Sequence, residues 1–165
     1  MSGLRVSDPD GEAARRFEEQ ARRLGTRTPR CRKPGCRERN PFALTGAEPD
    51  ILCYEHRAEL AGRSWVEAHH VAGRHNDPTV VMVPANEHRL LNDRQRDWPQ
   101  ATLRNPGGSP LLRGAATLRG WLDVLWLILT RLVAWIPAAL EELDRLLTET
   151  VGSRWWERLG WNPAG

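Results

Sequence analysis

Four of the chain's five histidines, His69, His70, His75 and His88, fall within twenty residues. No other feature constrains the fold as tightly, because imidazoles this crowded must be separated by turns and aimed by regular structure. The adjacent pair His69-His70 is followed by the turn formers Gly73, Asn76, Asp77 and Pro78, then the apolar run Val80-Val81-Met82-Val83. His88 comes next, with Asn92 four residues later. The pattern predicts a strand that starts at Trp65-Val66 and ends in the histidine pair, then a polar loop. A short buried strand over 80–83 and a helix over 85–94, with Asn86 as its cap, complete the prediction. His88 and Asn92 then share one helix face, one turn apart. Such a β–β–α unit can gather His69, His88 and Asn92 around one divalent metal and leave His70 free to act as a base. His75 reads as an exposed loop histidine, the alternative being a contact to a substrate phosphate.

Upstream lie two more chelating pairs. Cys31-x4-Cys36 brackets a turn with Pro34 and Gly35, and after sixteen intervening residues comes Cys53-x-x-His56. Each pair closes a tight chelate and the loop lets the pairs meet, as four-coordinate structural Zn²⁺ requires. The set uses every cysteine in the chain and the one histidine outside the central stretch. Three unrelated buried cysteines, or an independent nucleic-acid-binding knuckle, are the competing readings. A helix over 54–60 would carry this knuckle straight into the histidine-rich unit, which favours a scaffold role. Three cysteines cannot pair completely as disulfides, and residues 1–11 are polar with no apolar signal core. A reducing cytoplasm is the expected compartment.

These residues resemble those of the HNH endonucleases, whose fold is a ββα-metal unit. The matching features are Glu67-Ala68-His69-His70, the Gly73-Arg74 turn, the strand Val80 to Val83 and His88-x-x-x-Asn92. The resemblance covers about thirty residues plus the knuckle that many members carry, and it omits the C-terminal third. It implies that His69 binds metal, that His70 is the general base, and that His88 and Asn92 supply the remaining ligands. Arg74 or Arg89 would hold the scissile phosphate. The family's middle Asn, which orients the base, stands nine residues before the helical His; Thr79 occupies that position here, and Asn76 lies nearby but off register. The implied cofactors are a structural Zn²⁺ and a catalytic divalent metal, Mg²⁺ or Mn²⁺ first, then Zn²⁺ or Ni²⁺. Neutral His and Asn ligands leave that ion's charge undiluted for the phosphate oxygens.

The expected fold class is α+β: a small ββα-metal nuclease unit with zinc knuckle, then a C-terminal helical segment. Residues 1–25 form a tail and an Arg/Glu-rich helix over 11–24, stopped by Gly25. Residues 26–98 hold the knuckle and the ββα unit. Residues 99–118 form a Pro/Gly-rich linker or wrapping segment. Residues 119–165 form the Trp/Leu-rich helical segment, where Leu122, Leu125, Leu129, Leu132, Ile136, Leu140, Leu143 and Leu147 recur every three or four positions. Asp123, Arg131 and Pro137 argue against a transmembrane span. Packing on the nuclease unit, a homodimer or protein partner, and contact with a membrane surface stay open. Net charge is +3, and Lys33 is the only lysine among 24 basic residues. The expected function is hydrolysis of DNA phosphodiester bonds by a His-activated water and one divalent metal. The alternative is a non-catalytic zinc-stabilised nucleic-acid-binding or adaptor protein on a degenerate HNH fold, which Thr79 favours.

Overall fold

A computed structural model of the chain describes residues 9–160. It is mixed helix and strand, with two small antiparallel sheets, and it divides into two units, residues up to Val124 and from Leu125 onward.

The first unit opens with helix α1, Pro9–Arg23. Gly25, at φ +78°, adopts the left-handed conformation that ends it. Strands β1, Leu44–Thr45, and β2, Leu52–Cys53, which the sequence did not announce, pair antiparallel and lead without a break into the expected helix α2, Tyr54–Leu60. Leu24, Leu44 and Ile51 close around Cys31 and Cys53 to form one small core. Strands β3, Val66–His70, and β4, Val80–Pro84, form the second hairpin, with His69 opposite Val81 and His70 opposite Val80. Helix α3, Ala85–Arg96, follows immediately. The order strand, loop, strand, helix is therefore as expected, and α3 packs against both strands.

Details differ from the sequence reading. Val80 and Met82 are exposed and only Val83 is buried, so β4 is half-buried rather than a buried strand. Asn86 does not cap α3: the helix begins one residue earlier, at Ala85, and the Asn86 amide oxygen accepts the Glu55 backbone N–H at 3.3 Å. That bond joins the first turns of α2 and α3. Arg16 of α1 reaches Asp93 on α3 at 3.3 Å and Asp97, just past its end, at 2.7 Å.

The expected linker is partly helical. Helix α4, Gln100–Arg104, is followed by α5, Pro110–Leu127, which starts about ten residues before the sequence suggested. Pro110 suits a first helical turn because its missing N–H would have no partner there. Trp98, Ala72 and Ala116 are buried together with Leu103 against them, whereas Leu111 is 85% exposed. Asp123 is buried and accepts hydrogen bonds from Arg94 at 2.7 Å and from the Trp98 indole at 3.0 Å.

In the second unit the helix continues through a π-helical stretch, Ile128–Val133, into α6, Ile136–Val151, with Pro137 in the first turn. A short helix α7, Trp155–Arg158, folds back so that the buried Trp155 donates to Asp144 at 2.9 Å. By length and composition the helical run Pro110–Val151 could cross a membrane, and only 17% of its most apolar window is buried.

Candidate functional site

Cys31, Cys36, Cys53 and His56 converge as the spacing predicted. Their ligand atoms all lie within 4.8 Å of one another. His56 Nδ1 is 3.4 Å from the Cys31 sulfur and 3.0 Å from that of Cys53, and the Cys53 N–H donates to the Cys31 sulfur at 3.3 Å. Burial pushes the Cys53 thiol up to about 12 and raises that of Cys36. Thiols raised in this way hold their protons unless a cation compensates, and a divalent ion would supply that compensation. The donor set and its closure fit a metal such as zinc.

The second cluster lies where β3 meets α3. His69 is 2% exposed, and its ring meets that of His88 edge to face, with centroids 5.4 Å apart. Burial, with the His88 and His70 charges adding, lowers His69 to about 4, so it is neutral at pH 7, as a metal ligand must be. The Asn92 amide lies 3.4 Å from His88 Nε2. The other ring nitrogen of His88 is held by the Glu67 carboxylate, which also accepts from Arg89 at 3.0 Å. A carboxylate on one nitrogen of an imidazole fixes the ring and leaves the other nitrogen to ligate. His69, His88 and Asn92 are therefore brought together by one hairpin and one helix face.

Glu67 and Gln95 are the partners that the sequence reading did not assign. The Gln95 amide donates to the His70 carbonyl at 2.9 Å and the Val71 carbonyl at 3.2 Å, and lies 3.2 Å from His69 Nε2. His69 Nδ1 is buried with no hydrogen-bond partner. Gln95 follows Asn92 by three residues, so helical spacing alone put it on the ligand face.

The other expected residues are placed less favourably. His70 is half-buried and is the last residue of the ladder, opposite Val80. Strand alternation directs its side chain to the face opposite His69, and its Nδ1 is buried without a partner. Thr79 is exposed, and its N–H bonds the Asp77 carboxylate at 2.7 Å. Asn76 is buried and donates to the carbonyls of Ala72, Thr102 and Leu103, pinning the loop to α4 instead of touching His70. Arg74 and His75 are exposed in the loop.

No family model, curated protein or solved structure matches the chain. Its chemistry has to be read from these two clusters and from their surroundings. One neighbouring surface bears on it: Phe17, Arg27, Arg30, Arg32 and Arg39 line a cleft of about 450 Å³ beside the cysteines. Arg32 there pairs with Glu48. Deeper in the unit, burial and the neighbouring Glu87 raise the Glu55 carboxyl to about 7.

Proposed function

We propose that residues 26–98 form a metal-dependent endonuclease unit that hydrolyses phosphodiester bonds in DNA, of HNH type, with Cys31, Cys36, Cys53 and His56 as its structural zinc site. One observation carries the reading. Two imidazoles, His69 and His88, face each other across the hairpin–helix junction with Asn92 beside them, and each ring has a partner that fixes it. His69 Nδ1, buried and unpaired, has the chemistry of a donor lacking its acceptor cation. His69, His88 and Asn92 would hold a divalent ion. Such an ion, when bound, stabilises charge on the phosphate oxygens and the leaving 3′-oxygen. His70 would take the proton from water, and the arginines beside the knuckle would carry the phosphate backbone.

A second reading has its own support. Nothing in hydrogen-bonding reach of His70 Nδ1 orients that ring, Thr79 is tied to Asp77 and Asn76 to the loop carbonyls. Those features favour a metal-stabilised DNA-binding module without cleavage.

Plasmid nicking in EDTA, Mg²⁺ and Mn²⁺ separates the two. On the endonuclease reading the parent nicks only with metal. His70→Ala keeps metal and DNA binding but loses on the order of 10²–10⁴ in rate, and His88→Ala also needs much more metal. A parent that binds plasmid but never nicks it in Mg²⁺, Mn²⁺, Ni²⁺ or Zn²⁺ leaves the binding module as the function.

A further inference from the structure

The second unit presents an apolar surface that its own residues leave uncovered. Leu125, Leu129, Leu132, Trp135, Leu140 and Leu143 are each at least half exposed. In α6 the apolar side chains fall on one face: Ile136, Leu140, Leu143 and Leu147 follow at spacings of four, three and four. On the opposite face Arg145 bridges Glu142 and Glu149, at 2.6 and 2.5 Å. The helix is thus amphipathic with a solvated ionic rank and a bare apolar one.

We propose that this face inserts into a lipid bilayer and lies in its plane. Three observations choose lipid over a second copy of the chain. First, the face is too broad for a two-helix seam. The positions flanking Leu125, Leu129, Leu132 and Ile136 are Trp126, Ile128, Val133 and Trp135, where a coiled coil would carry charges that set register. Secondly, tryptophans 121, 126 and 135 punctuate the segment, the residue type that settles at the boundary of hydrocarbon and headgroup. Thirdly, the charges choose lying over spanning. Residues 124–140 have one charged residue, Arg131, close to their midpoint, where a span would bury it in the bilayer centre. In the plane, Arg131 and the Glu142–Arg145–Glu149 rank stay in water.

The lipid chemistry follows from the charge count. Residues 120–151 carry two arginines against five acidic residues, so anionic headgroups offer this segment no attraction. Insertion is apolar, and it holds on neutral phosphatidylcholine in high salt. This inference does not rest on the endonuclease reading.

The experiment floats the full chain with phosphatidylcholine vesicles through a high-salt density gradient. The parent should rise with the vesicles, and its tryptophan fluorescence should be quenched by brominated phosphatidylcholine. Leu140→Glu combined with Leu143→Glu should stay at the bottom. Both sites are exposed, and circular dichroism checks that the helix persists. Leu111→Glu, at a still more exposed leucine at the start of α5, should float like the parent. A parent that stays at the bottom as an oligomer, which the double variant turns into a monomer, would show that a second copy covers the face and would overturn the proposal. So would a parent that floats only with anionic vesicles and is released by salt, or a double variant that floats and is quenched as the parent is.

Discussion

Gly120 gives the sharpest test of how the first unit is built. A Cβ at this position would stand 1.9 Å from the Val71 carbonyl oxygen, 2.6 Å from its carbon and 2.8 Å from Val71 Cγ1. Ordinary non-bonded contact begins well beyond 3 Å, so in Gly120→Ala α5 must retreat by roughly 1 Å or more. The retreat opens the buried group Ala72, Trp98 and Ala116 and loosens the Asp123 bonds to Arg94 and Trp98. Overpacking of this kind costs about 1–3 kcal/mol. Better helix propensity returns up to about 1 kcal/mol, so a net loss of about 1–2 kcal/mol is expected. Gly114, on the same helix, has nothing within 4 Å of its would-be Cβ; Gly114→Ala should stabilise by about 0.5–1 kcal/mol through propensity alone. Urea unfolding of both variants, followed by tryptophan fluorescence, measures the pair. The reasoning fails if Gly120→Ala is as stable as the parent, or if both substitutions shift the midpoint in the same direction.

Three further predictions concern the clusters. The isolated protein should carry about one tightly held Zn²⁺ that Cys36→Ser loses together with stability; metal analysis that finds no zinc in folded protein would refute the site. Gln95→Leu should cost about 1–3 kcal/mol, because the carbonyls of His70 and Val71 lose a buried donor, and unchanged thermal stability would count against this. His69 predicts a pH dependence. Its folded pKa of about 4 lies below the ordinary 6.5, so between those values the unfolded chain holds a proton that the folded chain excludes. Stability is therefore full above pH 6.5 and falls by about 2–3 kcal/mol as pH drops to 4, and in His69→Gln this part of the slope should disappear.

What could be read from the sequence was local. Cys31-x4-Cys36 and Cys53-x-x-His56 each close over a few residues, and the turn formers between them leave few ways to bring the pairs together. Helix 54–60 and the hairpin were legible because Gly62 and the Gly73–Pro78 cluster punctuate apolar runs whose period differs on either side. What escaped depends on contacts across long separations. Pro110 and Gly114 read as linker because the packing that holds α5 helical comes from Ala72 and Trp98, distant in sequence. Gly120 reads only as the start of the Leu-rich helix, and nothing local tells that Val71 packs against it. Asn76 stood close enough to the base to suggest a functional role, yet its amide is consumed by the carbonyls of Ala72, Thr102 and Leu103, two of which are more than twenty residues away. Gln95 could have been found, since it continues the His88–Asn92 face by one further turn.

On the endonuclease reading the two halves of the site are unequally prepared. The ligand half is fixed: Glu67 holds His88, Arg89 holds Glu67, and Gln95 holds the backbone that carries His69. The base half is not, because His70 lies at the end of the ladder with its Nδ1 unpaired and Thr79 turned to Asp77. Affinity for metal depends on the first half alone, whereas the rate of proton transfer depends on the second, since a base contributes only in the fraction of molecules where it is aimed. Metal binding should therefore survive changes at His70 and Thr79 that leave cleavage slow or absent. For the same reason, tight occupancy by a divalent ion would support the ligand assignment of His69, His88 and Asn92 without by itself establishing catalysis.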